Sequence, residues 1–239
     1  TYKILNANDG GVFVSNTSAT PGINNGEWTS TDKGYNSSQF YGADKKPGAE
    51  EYFGGMQDNG TWVSPQNQVA TATSNYSFKI GGDGFEVIWN NSNPQLLIGG
   101  SQFNNFGRSI NGGSSFSSAV SGLSGDMPFI SKLANSNSFA DRFFTLGGSG
   151  VFVSNNFGQN WTLTPITTKW ANASLMDIEV SRANANIVWA GTGMTSQLSL
   201  HVSTNGGKTF SVTNNYTETS LGGITKLASH PTEPNTAYA

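Results

Sequence analysis

The chain has 239 residues, of which 35% are hydrophobic and only 11% charged, with 30 glycines and a net charge of −3. Its 12 Lys and Arg against 15 Asp and Glu leave no basic footprint for nucleic acid or an anionic membrane, and no apolar run approaches the roughly 20 residues of a spanning helix. Cysteine is absent, which excludes a disulfide framework and thiolate metal sites but does not place the chain in the cytosol.

In chain order, Tyr2-Lys-Ile-Leu5 reads as a middle strand, followed by the apolar strand Gly11-Val-Phe-Val-Ser15. An insertion then runs to Asn25-Gly-Glu-Trp28. Gly60-Thr-Trp-Val-Ser64 repeats the second of these strands, as do Phe106-Gly-Arg-Ser109, Gly150-Val-Phe-Val-Ser154 and Leu200-His-Val-Ser203. The serines at 15, 64, 109, 154 and 203 recur every 45 or 49 residues. Short strands at that period, without a helical hydrophobic period, predict propeller blades of four antiparallel strands. The predicted fold class is therefore all-β, a propeller segment of about five repeats over residues 1–239.

One repeat shows the order of parts. An inner strand, Phe85–Trp89, ends in the proline turn Asn90-Asn-Ser-Asn-Pro94. A second strand, Gln95–Ile98, crosses through a loop to the third, which ends at Ser109. Alternate strands send their turns to opposite ends. Loops between second and third strands thus share one face with the blade-to-blade loops, and the serine turns share the other.

After Ser109, Ser154 and Ser203 the sequence fits Ser-x-Asn-x-Gly-x-x-aromatic, ending in Phe116, Trp161 and Phe210. Asn hydrogen-bonds local amides, Gly supplies a positive φ and the ring plugs the space beneath. Trp28 is read as a further plug, and Trp62, Trp89 and Trp189 as core strand residues. His201 and His230 read as a strand and a turn residue.

These turns resemble those of the Asp-box (bacterial neuraminidase) repeat family, in which Asp stands where this chain has Asn111, Asn156 and Asn205. The segments Ser38-Gln-Phe-Tyr41, Tyr52-Phe-Gly-Gly-Met-Gln-Asp-Asn-Gly-Thr61 and Gly81-Gly-Asp-Gly-Phe85 resemble secreted bacterial Asp-box proteins of the gliding and type IX secretion kind. Sialidases, xyloglucanase-type hydrolases and sortilin-type receptors share the repeat, so the resemblance implies an exported or cell-surface propeller more than it implies an activity. The opening and closing strands suggest a longer parent with further blades, and those blades count among the expected partners.

The loop face carries Asp9, Asp58, Asn59, Asp83, Glu86, Asp126, Tyr76, Phe103, Phe106 and Trp170. Carboxylates and planar rings together suit carbohydrate. Asp58 and Asp83 would be the acid and base if the protein is a glycoside hydrolase, a role that needs two carboxylates across a cleft. Against this, Asp-Asn-Gly and Gly-Asp-Gly are ordinary turn formers. Arg108, Arg142 and Arg182 do not assemble a sialidase-like carboxylate clamp on this face. Trp170, Asn59, Phe103 and Phe106 are the candidate ligand contacts, with no metal and no cofactor expected. The favoured reading is a non-catalytic adhesion module for a glycan or protein. A hydrolase and a purely structural propeller are the alternatives.

Overall fold

The structure, a computed structural model, describes residues 1–8, 11–31, 38–171, 176–191, 197–213 and 226–239. It divides into two compact units, Thr1–Gln39 and Phe40–Ala239.

The first unit is a three-stranded antiparallel meander of β1 (Leu5–Asn8), β2 (Gly11–Ser15) and β3 (Trp28–Ser30). The first strand begins later than the sequence suggests: Tyr2 makes only an isolated bridge to Ser18. Ser15 turns its hydroxyl back to accept the Ile4 N–H at 2.9 Å, so no box turn forms there. Trp28 closes the insertion by donating its indole N–H to the Gly22 carbonyl at 3.2 Å.

The second unit is a series of meanders. The first sheet is β4 (Phe40–Lys45), β5 (Tyr52–Met56), β6 (Gly60–Val63) and β7 (Ser77–Ile80). The second is β8 (Val87–Trp89), β9 (Leu97–Ser101), β10 (Asn105–Ser109) and β11 (Ser117–Ser118). Next come β12 (Ala134–Ser136), β13 (Phe139–Gly147), β14 (Gly150–Ser154) and β15 (Thr162–Pro165). The fourth sheet is β16 (Asp177–Val180), β17 (Val188–Gly191), β18 (Leu200–Ser203) and β19 (Ser211–Val212), and the pair β20 (Ala228–Ser229) and β21 (Ala237–Tyr238) follows. Sequence neighbours pair throughout, so each sheet is built from local hairpins.

Middle strands are buried on both faces because each sheet packs against the next. Phe143 and Phe144, adjacent on β13 and pointing to opposite faces, are both fully buried. Phe143 joins Ile98, Phe106 and Phe152 on one side, while Phe144 joins Leu146, Ile178 and Val188 on the other. Phe53, Val63, Trp89 and Leu97 form the corresponding layer between the first two sheets. Close stacking explains why Gly99 lacks a side chain: a Cβ there would lie 2.8 Å from the Phe53 ring.

Three serine turns share one hydrogen-bond pattern. The hydroxyls of Ser109, Ser154 and Ser203 each accept a glycine N–H at 2.9 Å, from Gly113, Gly158 and Gly207. Each donates to Oδ1 of the asparagine two residues on, at 2.9, 3.0 and 2.9 Å. That same Oδ1 accepts the N–H of Ser115, Asn160 or Thr209 at 3.0 Å. The bonds common to all three turns use the acceptor oxygen, which aspartate also has; in two of them the amide adds a bond of its own, Asn111 Nδ2 donating to the Ser115 hydroxyl at 2.9 Å and Asn205 Nδ2 to the Thr209 hydroxyl at 2.8 Å. The preceding sheet holds these turns: Arg108 reaches the carbonyls of Asn156 and Phe157 at 3.3 Å, and Thr164 donates to the Gly207 carbonyl at 2.6 Å. Ser154→Ala leaves the buried Gly158 N–H unpaired and is expected to cost about 1–3 kcal/mol, measured as a lower urea midpoint at constant slope.

Trp89 and Trp189 lie in the core as expected. Trp62 does not: it is half-buried, meets Phe78 edge-on at 5.4 Å and donates its N–H to the Asn59 carbonyl. Its ring lies against β7, the edge strand of its sheet.

Candidate functional site

Antiparallel order puts the β5–β6 and β9–β10 turns at the same end of their sheets as the blade-to-blade connections. Asp58 and Asp83 meet there. The contact runs from the Asp58 backbone N–H to the Asp83 Oδ1 at 2.9 Å, and the Asp83 N–H in turn donates to Gln102 Oε1 at 2.9 Å. Asp83 therefore braces a turn in which Asp58 sits at φ 64°. Asn59 is exposed on the same turn and donates its side-chain amide to the Gln57 carbonyl at 3.2 Å.

Phe103 and Phe106, three residues apart, have opposite fates. Phe106 lies on β10, is 1% exposed and stacks on Trp161 with centroids 5.6 Å apart. A buried core ring cannot meet a surface ligand, which corrects the expectation drawn for it. Phe103 is 57% exposed and holds φ 61°, a left-handed conformation unusual for a bulky residue. Its neighbour Asn104, at φ 54°, is buried. Asn104 donates its backbone N–H to the Ser131 hydroxyl at 2.7 Å and its side-chain amide to the Leu146 carbonyl at 2.7 Å. The Phe103 N–H donates to the Phe129 carbonyl at 3.3 Å. The next sheet thus overrides the local preference and projects the ring outward.

Phe103 begins an aromatic strip. It meets Phe129 edge-on at 5.5 Å, Phe129 meets Phe85 at 5.7 Å, and Phe85 meets Tyr41 at 5.2 Å. Phe85 is the buried floor, while Phe129 and Tyr41 are each 42% exposed. Phe129 and Tyr41 were not singled out as contacts from sequence. Tyr41 stands 44 residues before Phe85, near the repeat length, which is the signal that could have linked them.

Beside the strip, the first turns of the inner strands carry alternating charge. Lys132 Nζ lies 3.7 Å from both Glu86 Oε1 and Asp177 Oδ1, and Lys226 Nζ lies 3.9 Å from Asp177 Oδ2. Burial pushes the Glu86 carboxyl above its ordinary range, opposed by Lys132. Asp44, which accepts the Trp89 N–H at 2.7 Å, is raised likewise by burial. Glu86, Lys132, Asp177 and Lys226 follow one another at 46, 45 and 49 residues, a period that the sequence itself carries.

Trp170 is half-buried. Its N–H donates to the Gly147 carbonyl at 2.9 Å and its ring meets His201 edge-on at 5.5 Å. It braces the loop rather than offering a free sugar platform. His201 is a buried strand residue whose nitrogens lie 2.9 Å from the Ser199 and Thr168 carbonyls. Burial lowers its pKa, and those two carbonyls oppose the shift. Arg142 is engaged away from this face, with the Ala185 carbonyl and Asn186. Asp9 lies outside the described residues.

Solved structures with the same arrangement include an ancestral GH74 enzyme, 16% identical over 73% of this chain with a TM-score of 0.52. The GH74 xyloglucanase of Xanthomonas campestris is 14% identical over 95%, with a TM-score of 0.56. The fold is that of a β-propeller. An outer coat vertex of COPII on membranes matches this propeller segment at 12% identity over 95% of the chain, with a TM-score of 0.58, over 66% of its own chain. The segment spans only 24% and 32% of the two GH74 chains. No family model and no curated protein matches the sequence.

Proposed function

We propose that this propeller segment is a non-catalytic binding module whose loop face takes a glycan or protein ligand. The observation that carries the reading is Phe103, an exposed ring held in a left-handed backbone conformation by a buried network. Strain and exposure of this kind persist where a surface is used. The Asp83 oxygen committed to the Asp58 turn weighs against an acid–base pair there. The neighbours include enzymes and a coat protein, so either ligand class is compatible with the fold.

The finer family reading is also part of the proposal. The turns belong to the Asp-box kind with Asn in the place of Asp, supported by their shared use of Oδ1. A composition low in charge and rich in Asn, Ser, Thr and Gly suits an exported bacterial surface protein, with further blades of a parent chain as partners.

Incubating the protein with a panel of glycans and peptides, and recording bound and cleaved species by mass spectrometry, tests this reading. Binding without cleavage is expected. Phe103→Ala is expected to weaken binding about tenfold or more with little change in melting temperature, because the ring is 57% exposed and alanine keeps the Cβ that opposes the left-handed backbone. Cleavage that disappears in Asp58→Asn or Asp83→Asn would establish the hydrolase reading, to which the GH74 neighbours lend support.

A further inference from the structure

The charge around the aromatic strip narrows the ligand class, on the premise that the loop face binds at all. Three aspartates, Asp58, Asp83 and Asp126, lie on the loops that neighbour Phe103 and Phe129. Asp58 and Asp126 are exposed and Asp83 is half-buried. They are tied to the strip by short links. Asp58 bonds Asp83, Asp83 bonds Gln102 beside Phe103, and Asp126 stands three residues before Phe129 with its carbonyl accepting the Gly148 N–H at 2.8 Å. Among the described residues none of the three has an ion-pair partner. Lys132, the cation at the edge of the strip, is already shared between Glu86 and Asp177.

Carboxylates without an ion-pair partner among the described residues, on loops beside exposed aromatic rings, are complementary to a cation, which gains from the carboxylates and from the ring faces together. Phe103 and Phe129 offer no polar atom with which to read a sugar hydroxyl. The strip also exceeds one side chain, with successive ring centroids 5.5, 5.7 and 5.2 Å apart. We propose that the loop face binds an extended polypeptide segment carrying arginine or lysine, its cationic side chains set against Phe103 and Phe129 beside the loops of Asp58, Asp83 and Asp126. Apolar stems of these side chains cover the rings while their charged ends reach the carboxylates.

Calorimetric titration with hexa-arginine, an uncharged glycine–serine hexapeptide and cellohexaose, at low and physiological salt, tests the proposal. Hexa-arginine is expected to bind, the neutral peptide not, and the affinity to fall as salt rises. Phe103→Ala is expected to weaken hexa-arginine binding about tenfold and Asp126→Asn severalfold, with the circular dichroism and melting temperature of Asp126→Asn unchanged. Binding of hexa-arginine that ignores Phe103→Ala would reveal general charge attraction and overturn the proposal. Binding of cellohexaose alone, lost in Phe103→Ala, would overturn the cationic ligand while leaving the loop-face module intact. Absence of binding by all three probes would overturn the cationic proposal, and loop-face binding of other ligands would still be read from the wider panel.

Discussion

Trp161→Ala is expected to destabilise the second unit by about 3–5 kcal/mol, the range for truncating a large buried ring. The indole is 4% exposed, stacks on Phe106 at an interplanar angle of 29°, and donates its N–H to the buried Ala119 carbonyl at 2.8 Å. Truncation opens a cavity between the second and third sheets and orphans a carbonyl. Trp161→Phe keeps an aromatic ring against Phe106 but loses the hydrogen bond and part of the buried ring volume, so a cost below that of alanine is expected. Phe106→Ala should resemble Trp161→Ala, with a large fall in stability. Urea unfolding of the three variants checks this ordering. If Phe106→Ala instead reduced ligand binding at unchanged stability, its place in the core would be refuted.

Asp177→Ala should cost a comparable amount, about 3–5 kcal/mol, because it breaks a buried ion pair from one side. Asp177 is 1% exposed; its Oδ2 accepts the Leu227 N–H at 2.5 Å, while Lys132 and Lys226 approach its two oxygens. Removal leaves the Leu227 N–H without its acceptor and Lys132 with only Glu86. Asp177→Asn keeps an acceptor for Leu227 but not the charge, so it separates the two contributions. Asparagine is expected to recover part of the loss, and complete recovery would show that the charge contributes nothing. Thermal unfolding at low and high salt provides the reading, with little salt dependence expected for so buried a carboxylate.

The repeat was legible because it is local. A serine, an asparagine two residues on and a glycine two beyond that form their hydrogen bonds within five residues, so three copies in register disclosed the turns and the blades. Phe116, Trp161 and Phe210 were legible as plugs for the same reason. Phe103 and Phe106 were not separable, because they lie three residues apart at the junction of loop and strand, and their orientations follow from the pleat of β10 and from the bonds that hold Asn104. The mutual bracing of Asp58 and Asp83, 25 residues apart, was equally hidden: sequence put them on one face but could not say which atoms meet.

Trp170 shows the same limit from another direction. Its loop position suggested an open ring, yet the Gly147 carbonyl across 23 residues takes its N–H and His201 takes its edge. Trp62 lies in an apolar strand and reads as core, but its indole N–H goes to the Asn59 carbonyl and its ring stays half-buried against Phe78 at the sheet edge. The alternating Glu86, Lys132, Asp177 and Lys226 occupied related repeat positions in plain view. Their partnership required knowing that inner strands of successive sheets lie side by side.

The amino-acid sequence by itself determined the all-β class, the blade period and the serine turns, because hairpins, glycine φ angles and alternating burial are properties of a few adjacent residues. Tertiary structure alone decided which loop-face rings stand in solvent, which carboxylates brace a turn and which have no ion-pair partner among the described residues. Those outcomes depend on contacts between sheets, where a hydrogen bond from a residue 42 positions away, Asn104 to Leu146, holds Phe103 against its own backbone preference.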